Sequence, residues 1–356
     1  MLTVGVIGAR RGLSLAAAFA LQPDCRVVAV CDIDTERAQA FVQQHPNAVA
    51  HTDLDRFLAR PPDIVAVASP VPLHRDHTVA ALEAGAHVLQ EVYLADTVEK
   101  CRDIVRAVAA HPRQKFMLAE NCCYWGHIMA WRRMFAEGRI GSLMYAEAEY
   151  VHDVRTLWTN AAGKPTWRAT MPPIHYCSHS LGPLLMITGD RCLSVTALAV
   201  GPYLSPESGH LDLEAALLRT ESGAAIKLLT AFGVVRHPAF HYYSIYGTKG
   251  CLETARPPAP LATHAYLEEV EHLHGLMTMP LNYDVPGAPT AAGGHGTAEY
   301  LMVRDFVDAI VNDAPPPIGI APALDMCLPG LMAHASALDG GAPKMVPDLL
   351  AEAEKE

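Results

Sequence analysis

The sequence predicts an α/β Rossmann domain, a doubly wound parallel sheet, followed by an α+β second domain with an open, mostly antiparallel sheet. Three observations predict it. Up to about residue 120, short continuous apolar runs alternate with helix-like stretches, as strands buried on both faces require. The first of those runs ends at glycines. After Asn121 the rhythm changes to alternating strands with glycine turns. At 356 residues the chain is long enough for two domains, and the division is expected as 1–120, binding dinucleotide, and 121–356, binding substrate and carrying oligomer contacts.

In order, "LTVGVIGARRG" is strand and turn, "LSLAAAFALQ" helix and "RVVAVCDID" strand, a βαβ unit. The helix "DTERAQAFVQQH" and the short segment "AVAHTDLDRFLA" follow. Next come strand "DIVAVASP", helix "HRDHTVAALEAG", strand "AHVLQE", helix "TVEKCRDIVRAVAAH" and strand "KFMLAEN". In the second half, helix "HIMAWRRMFAEGRIG" leads into the half-exposed strand "LMYAEAEYVHD". The segments "LSVTALAVG", "EAALLRTESGAAIKLLTAFG" and "HYYSIYGTKGCLET" carry hairpin-like turns. Residues 256–294, rich in Pro, Ala and His, read as a long loop, and "TAEYLMVRDFVDAIVND" and "APALDMCLPGLMAHASALDGG" as closing helices. No internal repeat is visible.

Composition narrows the function. A net charge of −11 with no basic cluster argues against nucleic acid or an anionic membrane as the main partner. The apolar runs are interrupted well short of the roughly 20 residues a bilayer needs, and a cytoplasmic protein is expected. Nine cysteines without a C-x-x-C pair read as reduced thiols.

The turn Gly8-Ala9-Arg10-Arg11-Gly12 can hold a pyrophosphate on backbone N–H groups and the helix dipole. It is an imperfect G-x-G-x-x-G, with Arg10 near the second glycine's place. Asp32 ends the second strand, about 20 residues on, where a carboxylate accepts ribose hydroxyls and repels a 2′-phosphate. NAD is therefore expected over NADP, although Arg10 and Arg11 could instead neutralise a phosphate.

The chain resembles the Gfo/Idh/MocA oxidoreductase family in "VGVIGARRG", "VVAVCDID", "DIVAVASPVPLH", "AALEAGAHVLQE", "GRIGSL", "YGTKG" and "GGAPKMVPD". The resemblance implies cofactor contacts at Gly8, Arg10, Arg11, Gly12, Asp32, Ser69, His74 and Glu91. Sugar and cyclitol dehydrogenases of that family carry Glu-Lys-Pro where this chain has Glu91-Val92-Tyr93, so the lysine that touches the reacting hydroxyl is absent. One branch, the NAD-dependent glycoside hydrolases first known as α-N-acetylgalactosaminidases, is similar in having Glu-Val there. This chain also shares "ENCCY", "EAEYVHD", Tyr176-Cys-Ser-His179 just ahead of Leu-Gly-Pro, and "GGHGTAEYLM" with that branch. The match implies Glu120, Tyr150, His152, Tyr176 and His179 as active-site residues. His175 stands where the usual dehydrogenase has an aspartate, four residues before its histidine.

Without the family, Tyr176 and His179 share a face if their segment is helical, and such a pair suits proton abstraction beside a carbonyl or an ordinary buried core. His175 and His179 also have the H-x-x-x-H spacing of metal ligands. With eighteen histidines and no carboxylate between the two, no metal is expected. Tyr150 and His152 share one strand face, either a pocket floor or a solvated row.

The expected function is a glycosidase using tightly held NAD⁺ on a sugar or glycoside, in a homodimer or homotetramer. The alternatives are a net NAD(P)-dependent sugar or cyclitol dehydrogenase and a non-catalytic nucleotide sensor.

Overall fold

The computed structural model describes residues 1–270, 272, 274–279, 288–289 and 297–355, which form two compact units. The first unit draws on Met1–Tyr124 and the described residues of 284–324 and 348–356. Its elements are β1 (Leu2–Ile7), α1 (Ala9–Ala20), β2 (Cys25–Cys31), α2 (Thr35–Gln44), β3 (Val49–His51), α3 (Leu54–Leu58), β4 (Ile64–Val67), α4 (His74–Glu83), β5 (His87–Gln90), α5 (Val98–Ala110) and β6 (Phe116–Leu118). The strands pair in parallel in the order β3-β2-β1-β4-β5-β6. This is the Rossmann order, which reverses between β1 and β4 and opens a crevice at the strands' carboxyl ends.

The continuous apolar runs explain this sheet. Val4, Val6 and all four residues of β4 are fully buried, as helices on both faces demand. The helices start where the sequence supplies caps. Asp34 accepts the Glu36 and Arg37 amides at α2, and Thr97 accepts the Lys100 amide at α5.

The second unit comprises Trp125–Tyr283 and Asp325–Pro347. It contains α6 (Gly126–Ala136), β7 (Leu143–Val151), α7 (Ser178–Thr188), β8 (Cys192–Val200), β9 (Leu213–Thr220), β10 (Ala225–Ala231), β11 (Phe240–Gly247), β12 (Gly250–Thr254), β13 (Thr263–Leu267) and β14 (Met277–Met279). Late in the chain come α8 (Thr297–Val311), α9 (Ile320–Leu338), β15 (Lys344–Met345) and α10 (Leu349–Ala353). The nine described strands run β14-β13-β12-β11-β7-β10-β9-β8-β15. Pairing is antiparallel except between β7 and β10. One face is apolar and buried, with Ala146, Ala148, Ile226, Leu228 and Ile245 packed in one core with Trp131 and Leu184 of the helices. The other face is open, and Leu198 and Leu217 are 62% and 58% exposed on it.

Two sequence expectations differ from this. The chain does not divide once at 120: α8 returns to the first unit, because Glu299, fully buried, pairs with Arg11 at 2.5 Å and accepts the Ser14 hydroxyl. An amphipathic pattern shows that a helix packs but not on what. Residues 256–294, read as a loop, contain β13 and β14, and much of the remainder, like the "GGHG" opening of its motif, lies outside the described residues. No described helix is long and apolar enough to cross a membrane.

Gly12 lets α1 lie directly on β1, since a Cβ there would stand 2.1 Å from Val6 Cγ1. Gly12→Ala is expected to destabilise the first unit by about 1–3 kcal/mol through overpacking. Adding Val6→Ala should recover part of the loss, and thermal melts of the single and double variants check it; an unaltered Gly12→Ala melt would remove the close approach.

Candidate active site

Candidate site residues occur in both units, and each set is described within its own unit. In the first, the carboxyl ends of β1, β2, β4 and β5 present Gly8, Asp32, Ser69 and Glu91 in turn. Gly8 has φ +95°, and a Cβ there would lie 2.6 Å from the Ala68 carbonyl oxygen, so only glycine fits. α1 starts at the next residue with no acidic side chain in its first turn, leaving its positive end suited to an anion. The turn fits a dinucleotide's pyrophosphate.

Asp32 stiffens that turn. One of its carboxylate oxygens accepts the Ala9 amide at 2.8 Å and the other the Asp34 amide at 2.9 Å. The two arginines differ. Arg10 is exposed, whereas the Arg11 guanidinium lies 2.8 Å from Glu91 and 2.5 Å from Glu299. Ser69 meets His77 Nδ1 through its hydroxyl at 2.8 Å. His74 is buried, its ring nitrogens 2.9 Å from the Ser69 and Tyr93 carbonyl oxygens, and burial pushes its pKa down to about 4. It thereby ties the end of β4 to the triplet Glu91-Val92-Tyr93, which is itself buried. Glu120, just after β6, is fully buried and accepts the Cys122 amide at 3.1 Å. Burial, with Glu120 next in effect, holds the Cys122 thiol well above its ordinary range.

In the second unit the structure brings together Tyr150, His152, Tyr176 and His179. Tyr150 lies on the core-side face of β7 and His152 just past its end, and the Tyr150 hydroxyl lies 2.9 Å from His152 Nδ1. Tyr176 closes a 3-10 turn, Pro173–Tyr176, and His179 sits in the first turn of α7. Their rings meet edge to face at 4.9 Å, and Tyr150 stands 6.4 Å from Tyr176 and 5.7 Å from His179. The Tyr243 hydroxyl donates to the His179 carbonyl at 2.5 Å, fixing the start of α7 on β11. His175 faces elsewhere, edge-on to His334 at 5.1 Å.

His241 was not singled out in the sequence. It is the cross-strand partner of Tyr150, stacks on it at 4.1 Å and 16°, and lies 5.9 Å from His179. Its Nδ1 has no hydrogen-bond partner among the described residues. Phe232 closes the other side, 5.2 Å from Tyr150. Alternation along "HYYSIYG" puts His241 and Tyr243 on one face, but the β7–β11 register that sets His241 against Tyr150 is not written in either strand. Burial lowers the pKa of His152, and burial followed by His179 and the other imidazoles keeps His241 well below its ordinary range. The two are neutral at neutral pH, each able to accept one proton and donate another.

A family model described as "Oxidoreductase family, NAD-binding Rossmann fold" matches residues 2–119, and the "GFO/IDH/MocA C-terminal domain" matches 128–253. The chain belongs to the Gfo/Idh/MocA oxidoreductase family. It is similar to a glycosyl hydrolase family 109 protein of Solibacter usitatus (strain Ellin6076), 29% identical over 97% of this chain and 87% of that one. An α-N-acetylgalactosaminidase of Tannerella forsythia is 26% identical over 91% and 80%. Among solved structures, an oxidoreductase domain protein from Kribbella flavida superposes with TM-score 0.84 at 22% identity over 98% and 99% of the two chains. Levoglucosan dehydrogenase in complex with NADH does so with TM-score 0.84 at 19% identity over 98% and 99%. As a Gfo/Idh/MocA member the chain is an enzyme that uses NAD.

His74 and His127, each held at about 4 by burial, and His175, held at about 3 by burial and then His334, are neutral in the folded chain. The unfolded chain takes up their protons at about pH 6.5, so their stabilising effect is complete above that pH and is lost as pH falls toward 4. The unfolding free energy from urea titration should drop between pH 7 and 4.5, by on the order of 2–3 kcal/mol per histidine, and His127→Phe should flatten the slope. An unfolding free energy constant over that window would contradict the assignment.

Proposed function

We propose that the chain is an NAD-dependent glycosidase whose reaction passes through transient oxidation at C3 of a glycoside. The observation that carries this reading is the meeting of Tyr176, His179, Tyr150 and His152 on one face of the second unit, with valine at 92 where the dehydrogenases have lysine. The glycosidase names of the two curated relatives support it. Glycosidases that work by acid–base or nucleophilic attack at C1 need two flanking carboxylates; groups that move protons at neighbouring carbons serve an elimination instead.

Bound NAD supplies the place where the C3 hydride is held and from which it returns. The remaining steps are proton transfers by this chain's side chains. Tyr176 and His179 take the O3 proton and then the C2 proton, which a C3 ketone makes acidic. Loss of the C2 proton breaks the C1–O bond to the aglycone. Glu120, Tyr150 and His152 position the sugar, protonate the departing oxygen and orient the water whose hydroxyl adds at C1 as a proton returns to C2. The net reaction is hydrolysis. Gly8, Gly12, Asp32, Ser69 and Glu91 are assigned to the cofactor; Arg10 is the arginine placed for a phosphate, while Arg11 and His74 hold the cradle together. A homodimer or homotetramer formed through the open face of the nine-stranded sheet completes the reading, with activity in the cytoplasm.

The second reading is a net sugar dehydrogenase, which the shared fold with levoglucosan dehydrogenase favours. The two separate in D₂O. Nitrophenyl glycosides of both anomers should be cleaved with deuterium entering C2 of the released sugar and no build-up of NADH. Cleavage at full rate without C2 deuterium would sink the mechanism, and NADH in proportion to product would establish the dehydrogenase. His179→Ala and Tyr176→Phe should each lower turnover about 10²-fold or more with NAD binding kept.

Asp32 leads to a further expectation: calorimetry should find NAD⁺ bound more tightly than NADP⁺, because a 2′-phosphate would face a like charge. Equal affinities would take Asp32 out of that role.

A further inference from the structure

The turn that carries Tyr176 is gripped from two sides. Four residues lie side by side across four strands on the core face of the second unit's sheet: Glu214 on β9, Thr230 on β10, Tyr150 on β7 and His241 on β11. Two of them, Tyr150 and His241, belong to the candidate site. Glu214 ends the row, fully buried. One of its carboxylate oxygens accepts the Ile174 amide at 3.0 Å, and the other lies 2.8 Å from His334 Nδ1 of α9. Ile174 is the second residue of the Pro173–Tyr176 turn.

The other side is glycine. At Gly330, one helical turn before His334, a Cβ would stand 2.5 Å from the Ile174 carbonyl oxygen and 2.7 Å from Cys177 Sγ. The α9 backbone therefore lies directly on the turn, and the Cys177 thiol reaches the Met326 carbonyl at 3.4 Å. The Ile174 amide is thus held from β9 while its carbonyl abuts α9. A buried carboxylate is an expensive way to fill a core position, and apolar residues of similar size are often as stable or more so. What Glu214 adds is a fixed offset between the turn and the strand row that contains Tyr150.

We propose that Glu214, His334 and Gly330 are positioning residues that set Tyr176 and His179 against Tyr150. The proposal rests on the active site argued above and deepens it. Errors of about 1 Å in such placements can lower turnover on the order of 10²-fold without a matching loss of ligand affinity.

The test uses the full-length NAD-loaded protein with Glu214→Leu, Glu214→Gln and Gly330→Ala. Glutamine can still accept from the Ile174 amide and can donate to His334, so Glu214→Gln should restore most of what Glu214→Leu loses. Glu214→Leu and Gly330→Ala should each lower kcat about 30- to 100-fold, with KM and NAD affinity changed less than threefold. If Glu214→Leu fails to fold, Gly330→Ala and Glu214→Gln decide. A folded Gly330→Ala with wild-type kcat, or a Glu214→Gln no better than a folded Glu214→Leu, would overturn the clamp.

If wild type cleaves no glycoside, the glycosidase reading fails. The clamp is then read without substrate, from the imidazole ¹⁵N–¹H correlations of His179 and His152. These should shift in Gly330→Ala and stay near wild type in Glu214→Gln; unshifted Gly330→Ala correlations would overturn it.

Discussion

The candidate site in the second domain depends on a polar row at the rim of an apolar sheet face. Along β7, β9, β10 and β11 the core side is filled by residues such as Ala146, Ala148, Leu218, Leu228 and Ile245. Two residues beyond Ala148, Leu228, Ala216 and Tyr243 of that core, the row Tyr150, Thr230, Glu214 and His241 ends the face. Period-two alternation keeps these side chains on the core side, where water is scarce and polar groups must find partners or a ligand. The sheet's hydrogen bonds fix their spacing. A tyrosine and a histidine brought together by strand register are held more tightly than the same pair on loops, as a site that must hold its groups in fixed geometry requires.

The histidines gathered there are an electrostatic choice as well as a geometric one. His127 and His241 lie in one aromatic assembly with Trp125 and Tyr243, and burial lowers both. Neighbouring imidazoles depress His241 further, because two cations at such distances repel in a poorly solvated setting. The assembly stays neutral without needing counter-ions. A charged cluster would require carboxylates, and these would compete with sugar hydroxyls for the same donors.

Much of the fold was legible because it rests on period. Continuous apolar runs gave the parallel sheet, alternation gave the half-exposed strands, and Gly8 and Gly12 marked backbone approaches that only glycine permits. The candidate site was partly legible: Tyr176 and His179 are near in sequence, as are Tyr150 and His152. That the two pairs meet is a tertiary fact, and family motifs rather than spacing suggested it. His241, Glu214 and His334 were not legible because strand register and helix docking bring them in from distant segments. The two carboxylate partners of Arg11 were not legible either, for the same reason. They lie about 80 and nearly 290 residues downstream.

That ion pair links the chain's two departures from the dehydrogenase pattern. The glycine turn carries arginines where a fuller glycine fingerprint is usual, and the triplet after β5 has valine where lysine is usual. A buried glutamate cannot be left without a cation at modest cost, and in a Glu-Lys pair the neighbouring ammonium is at hand. Here Val92 offers none, and the guanidinium of Arg11 reaches Glu91 from the turn while also holding Glu299. The positive charge beside Glu91 thus comes from the glycine turn and not from the triplet itself. Glu91 is fixed by Arg11, and the triplet presents the uncharged side chain of Val92. On the proposed reading, the proton chemistry that lysine would perform falls to other groups, the tyrosines and histidines around Tyr150.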